Sequence, residues 1–206
     1  MRNVLFVCTG NTCRSPMAEA LLKQKKPGIE VTSAGLFAQE GSKLSPGSTE
    51  VLKSRGIEWN HQSRPVTIEL LQWADVVLTM TQHHKQMLMM TYPKYEHAMF
   101  TLKEFVQDNQ DDVWNKLKQA YTTLEEKKAK FLHEKEDSFS DDEAKKEALQ
   151  LHVQSEIESI QQLESNLPNL DISDPFGGDI SVYEKTLEEM EAYVERLVKK
   201  LDSANK

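Results

Sequence analysis

Cysteine is nearly missing from this chain: Cys8 and Cys13 are the only two among 206 residues. That scarcity excludes a disulfide-stapled framework, and in a reducing compartment it points to thiol chemistry, with two inert buried thiols as the alternative. Long apolar runs are missing too, since no stretch approaches the roughly 20 residues that span a bilayer. The N-terminal run Val4-Leu5-Phe6-Val7 is too short for a signal-peptide core and lacks a small-residue cleavage site. It is expected to be the first strand of a cytoplasmic protein. Positive charge is in deficit: the net charge of −8 argues against a nucleic-acid partner, because phosphate contacts need clustered Lys and Arg. Neither a Walker loop nor a dinucleotide glycine fingerprint is present. His83-His84 lacks any carboxylate–histidine spacing, so no metal is expected; His61 reads as a surface or capping histidine.

What is present in the first hundred residues is an alternation of short β-like and helix-like segments. Val4 to Val7 reads as a strand buried on both faces. Arg14 to Gln24 reads as a helix with Pro16 near its first turn, where a missing N–H costs little. Ile29 to Ser33 is a second strand ending at Gly35, and Ser45-Pro46 starts a helix running to Ser54. Thr67 to Trp73 is a short helix, Asp75 to Met80 a third strand, His83 to Met90 a helix and Ala98 to Leu102 a fourth strand. The alternation predicts an α/β fold: a four-stranded parallel sheet with helices on both faces. The Met80, Met87, Met89, Met90 group reads as core filler.

Composition then shifts. Residues 106–168 hold 15 Asp plus Glu against 8 Lys plus Arg and no glycine, so nearly all the net charge lies here. Trp114, Leu117, Tyr121, Leu124 and Phe131 form one apolar stripe; Leu149, Val153, Ile157, Ile160, Leu163 and Leu167 form another. Ser140-Asp141-Asp142-Glu143 is a capping-box pattern. Two long antiparallel helices of roughly 35 Å each are expected, with an extended acidic segment as the alternative. The division is therefore a core of residues 1–105 and 171–206 and a helical hairpin insert, 106–170. In the last section, Leu187, Met190, Val194, Leu197 and Leu201 mark a helix that packs back onto the sheet.

The chemistry concentrates in Cys8-Thr9-Gly10-Asn11-Thr12-Cys13-Arg14-Ser15-Pro16, between a strand and a helix start. The end of a parallel strand followed by a helix N-terminus aims several backbone N–H groups at one point, a nest for a phosphoryl group and for a thiolate. An arginine six residues after the cysteine can hold two phosphoryl oxygens in a fork. Gly10 allows the tight loop, and Ser15 can donate to the sulfur. Such a nucleophile needs an acid for its leaving group and then a base for water. Asp174, in Asp174-Pro175-Phe176-Gly177-Gly178, is the candidate, with proline restraining its backbone.

With these residues the sequence resembles the low-molecular-weight protein phosphatases, and within them the bacterial protein arginine phosphatases. The resemblance covers Met1 to about Phe105 and Asp171 onward, and not the insert. It implies Cys8 as nucleophile, Arg14 as phosphoryl clamp and Asp174 as general acid and base, with a phosphocysteine intermediate and no metal or other cofactor. Thr9, Gly10, Asn11, Thr12, Cys13 and Ser15, with Phe37 and Phe176, form the expected substrate-binding set. Asn11 and Ser15 would hold the loop and thiolate in place. Thr12 decides the branch: tyrosine-directed relatives usually carry a bulky aliphatic residue there, and a hydroxyl suits a planar guanidinium. Ser33-Ala34-Gly35-Leu36-Phe37-Ala38 and Phe176 also resemble the arginine branch, with apolar side chains flanking the substrate's stem. Cys13 is either a redox partner for Cys8 under peroxide or a small residue supporting the loop.

The expected substrates are phosphorylated proteins, acted on by a monomer. A tyrosine phosphatase on the same scaffold is the alternative, which Thr12 opposes. A thioredoxin-linked arsenate reductase would need relay cysteines after Cys13, and none exists. A third alternative is a binding protein whose acidic hairpin recognises a protein partner.

Overall fold

A computed structural model describes residues 3–107, 110–135 and 142–203. Two compact units divide the chain: residues 1–107 with 170–206, and residues 108–169.

The first unit is built on four parallel strands, β1 (Asn3–Cys8), β2 (Glu30–Gly35), β3 (Val76–Thr79) and β4 (Met99–Thr101), in the order β2-β1-β3-β4. Its helices are α1 (Arg14–Lys25), α2 (Pro46–Ser54), α3 (Ile68–Trp73), α4 (Gln82–Thr91), α5 (Leu102–Val106) and, from the end of the chain, α9 (Ile180–Ser203). The continuous apolar run of β1 follows from its central place, because both faces are covered. Val4, Phe6 and Cys8 face Met17, Leu21, Met190 and Val194, whereas Leu5 and Val7 face Leu71, Leu88 and Met99. Each fully buried side chain of this kind contributes on the order of 2 kcal/mol.

Local sequence explains where the helices begin. Ser45, Thr67, Thr81 and Thr101 each accept a backbone N–H in the first turn of α2, α3, α4 and α5, and Thr101 with Glu104 closes a capping box. Along α9, Tyr183, Leu187, Met190, Val194, Leu197 and Leu201 are buried at three- and four-residue steps, on the face that covers α1, α2 and α5.

Several element boundaries differ from the sequence reading by one or two residues. The strand expected over Ala98 to Leu102 is three residues long, because Pro93–Ala98 form a 3₁₀ turn and the Thr101–Glu104 box starts α5 at once. β1 extends to Cys8, which pairs in register with Gly35.

The second unit contains α6 (Gln110–Glu134), α7 (Asp142–His152) and α8 (Gln154–Ser165). At the standard rise α6 is about 37 Å long. The second expected helix is split at Val153, whose φ and ψ are −108° and 9°. Hydrogen bonds from Val153 N to the Leu149 carbonyl and from Ile157 N to the Val153 carbonyl persist, so the segment bends without unwinding. Leu117, Leu124, Val153 and Ile160 form the buried core of this unit. Tyr121 departs from its stripe: it is half exposed and its hydroxyl donates to Glu164. The side chain of Trp114, and Ser140 and Asp141 of the capping-box pattern, lie outside the described residues, whereas Asp142 and Glu143 form the first turn of α7.

Candidate active site

The C-terminal ends of β1 and β2 position the loop that follows Cys8. Gly35 backs this loop so closely that a Cβ there would lie 2.7 Å from the Thr9 carbonyl oxygen and 2.8 Å from Asn11 N. Only glycine allows that approach, since backbone on both sides has little room to yield. Asn11 adopts φ +54° and is fully buried. Its side chain makes the left-handed turn affordable: Nδ2 donates to Ser15 Oγ at 2.9 Å and Ser33 Oγ at 2.7 Å, and Oδ1 accepts from Arg64 N at 3.0 Å.

Five of the loop carbonyls are drawn away from its centre. Cys8 O accepts from Leu36 N, Thr9 O from Phe37 N, Thr12 O from Ser45 N and Cys13 O from Met17 N. Asn11 O lies 2.7 Å from His61 Nε2, which must carry the hydrogen because a carbonyl can only accept. Across a trans peptide the N–H points opposite to the C=O. The amides of Thr9, Gly10, Thr12, Cys13 and Arg14 are thereby turned inward, as an anion-binding nest requires.

These elements enclose a cavity of about 250 Å³ lined by Cys8, Thr9, Gly10, Thr12, Cys13, Arg14, Asp174 and Phe176. Cys8 Sγ lies 3.0 Å from Ser15 Oγ. Arg14 Nη2 donates to Asp174 Oδ2 at 2.6 Å; the arginine is buried and the aspartate half exposed. Asp174 Oδ1 accepts from Phe176 N at 3.2 Å, which fixes the turn at Pro175. Cys13 Sγ has the Thr12 hydroxyl at 3.7 Å and the Tyr183 hydroxyl at 3.8 Å.

Residues 108–169 intervene in sequence between this sheet and Asp174, yet the root of the Asp174 loop is anchored within the first unit. Ile172 N donates to the Met80 carbonyl at 2.8 Å, and Gln82 N, at the start of α4, donates to Asp171 Oδ1 at 2.7 Å. Ser173 Oγ donates to Glu189 Oε2 at 2.7 Å, while the other oxygen of Glu189 pairs with the buried Lys103 at 2.7 Å.

Three of the residues expected to bind substrate do not line the cavity. Asn11 and Ser15 lie behind the loop and shape it. Phe37 meets the site through its backbone N–H on Thr9 O, and its ring is exposed. His61 is buried under the loop, not a surface histidine, because its ring N–H satisfies the Asn11 carbonyl. Sequence reading passed over Glu19, Lys103 and Glu189 and gave Ser33, Ser45 and His84 no part in supporting the loop, because these contacts are to residues far away in sequence and leave no spacing signal. His61 Nδ1 is 4.0 Å from Glu19 Oε2. Burial raises the Glu19 carboxyl and lowers the His61 imidazole, so both are displaced toward their neutral forms.

Comparison with known proteins agrees with this geometry. The family described as Low molecular weight phosphotyrosine protein phosphatase matches residues 3–138, a span that includes Cys8 and Arg14 and ends before Asp174. A protein-arginine-phosphatase of Geobacillus stearothermophilus is 36% identical over 201 residues, covering 97% of this chain and 96% of the relative. A protein-arginine-phosphatase of Bacillus subtilis is 47% identical over 115 residues, covering 54% and 77%. The solved structure of the YwlE arginine phosphatase from Geobacillus stearothermophilus superposes with a TM-score of 0.69 at 35% identity, over 99% of this chain and 95% of that one. A four-stranded parallel sheet, a cysteine loop at its centre and these matches together place the chain in the low molecular weight phosphotyrosine protein phosphatase family.

Proposed function

We propose that this chain hydrolyses phosphoarginine in phosphorylated proteins through a phosphocysteine intermediate, acting in the cytoplasm without a metal or other cofactor. The observation that carries this reading is the gathering of Cys8, Arg14 and Asp174 on one cavity walled by inward-turned amides. The Cys8 thiolate attacks phosphorus, and the P–N bond to the guanidino group breaks as Asp174 delivers a proton to the leaving nitrogen. Asp174 then accepts a proton from water, whose oxygen attacks the phosphocysteine; the P–S bond breaks, orthophosphate leaves and the thiolate returns. Arg14 and the loop amides hold the equatorial oxygens, where charge spreads in the transition state.

Support for phosphoarginine over phosphotyrosine comes from Thr12, which lines the cavity, and from the relatives named protein-arginine-phosphatases. Matched phosphoarginine and phosphotyrosine peptides are expected to differ in kcat/KM in favour of phosphoarginine. Thr12→Ile should shrink that preference by about tenfold or more, because a polar wall becomes an aliphatic one. A wild-type preference for phosphotyrosine would reverse the substrate assignment and leave the chemistry of the loop intact.

Residues 106–170 we take to be an insert that recruits protein substrates to the core of residues 1–105 and 171–206. Its acidic character and its own apolar core support this reading. Removing residues 107–167 and bridging the gap should leave kcat/KM on a small phosphoarginine analogue unchanged. On a phosphorylated protein it should fall about tenfold, the equivalent of a docking contact of about 1.4 kcal/mol. Equal rates on both substrates before and after deletion would sink the recruitment role.

A further inference from the structure

His84 is buried in the first turn of α4, and each of its ring nitrogens meets a threonine hydroxyl. Nδ1 lies 2.9 Å from Thr81 Oγ1 and Nε2 lies 2.9 Å from Thr9 Oγ1. Thr81 caps α4 and already accepts from His84 N at 3.2 Å. Thr9 follows the nucleophile directly and lines the cavity. The histidine thus spans from the β3–α4 turn to the loop that would hold a phosphoryl group.

Proton bookkeeping restricts what this bridge does. Burial first, and the positive charge of Arg14 second, lower the imidazole to about 4; His83 acts in the same direction, and Asp174 and Asp171 oppose it. At neutral pH the ring is therefore uncharged, with one N–H and one bare nitrogen. Two arrangements satisfy both contacts. In one, Thr81 donates to Nδ1, Nε2–H donates to Thr9 Oγ1, and the Thr9 hydrogen is left over for another acceptor. In the other, Thr9 gives its hydrogen to Nε2 and presents only lone pairs elsewhere. An anionic phosphoryl group beside Thr9 repels lone pairs and accepts a hydrogen, so it selects the first arrangement.

We propose that His84 is a positioning residue whose Nε2–H holds the Thr9 oxygen so that the Thr9 hydroxyl donates to the phosphoryl group over Cys8. This rests on the phosphatase reading above and adds to it a side-chain donor besides the Arg14 fork. It also explains why a histidine is buried here with a threonine hydroxyl at each ring nitrogen.

The test is a double-mutant cycle of His84→Phe and Thr9→Val in the full chain, read as the calorimetric Kd for inorganic phosphate and as KM and kcat. Each single change should weaken phosphate binding about tenfold, the scale of one hydrogen bond to a charged group. The double variant should be no weaker than either single one, because His84 acts through the Thr9 hydroxyl. His84→Gln, whose amide N–H can meet the same hydroxyl, should restore most of the affinity, and this variant keeps the inference testable if His84→Phe fails to fold. In the wild type with phosphate bound, ¹⁵N shifts should report the Nε2–H form of His84. Additive losses, no rescue by glutamine, or an Nδ1–H ring would overturn the inference. A chain that hydrolyses neither peptide yet shows the coupled phosphate binding would instead sink the phosphatase reading and support the role of His84.

Discussion

Cys8→Ser is expected to lower kcat/KM on any phosphorylated peptide by about 10⁵-fold or more, the scale on which enzymes lose rate when a covalent nucleophile is removed. A serine hydroxyl ionises far less readily than a thiol, and the nest of inward-turned amides stabilises a thiolate only if one forms. The fold should survive. Cys8 sits at the end of β1 in register with Gly35, and serine is smaller than cysteine and keeps a polar atom within reach of Ser15. Equal thermal midpoints for variant and wild type, alongside the kinetic loss, would place the whole effect on chemistry. A variant retaining a tenth of the activity would mean that the nucleophile lies elsewhere. The same variant should still bind inorganic phosphate, because Arg14 and the loop amides are untouched.

Much of this site was legible in the sequence because its parts are local. A buried strand, a cysteine, a glycine-bearing loop and a Ser-Pro helix start lie within residues 4–16, and short-range geometry alone orders them. The parallel sheet was equally readable, since β1 is apolar at every buried position and strands alternate with capped helices. The supports of the loop were not readable. Gly35 looks like any strand-ending glycine until the Thr9 and Asn11 backbones are seen against it. His61 looked like a surface or capping residue and His84 was weighed only as a metal ligand, because hydrogen bonds to residues dozens of positions away carry no periodicity. The split between α7 and α8 was hidden for a different reason. Val153 keeps its place in the apolar stripe, so the pattern runs straight through the bend.

Asp174→Asn should cost about 10²- to 10⁴-fold in kcat with phosphoarginine, the range for losing a general acid and base. The change is nearly isosteric, but asparagine cannot replace both carboxylate contacts. Oδ2 accepts from Arg14 and Oδ1 from Phe176 N, whereas an amide has one oxygen and must aim its NH₂ at one of these two donors. Some loosening of the Pro175 turn is therefore expected, although overall stability should barely change because the aspartate is half exposed. Loss of the turn and loss of the proton donor are separable by leaving group. A nitrophenyl phosphate releases a stable anion and needs little help from an acid, so its rate should fall far less than that of phosphoarginine. Rates that fall equally on both substrates would assign the defect to the misplaced loop. If neither rate falls, another group supplies the proton, and Asp174 serves only to hold Arg14 in place.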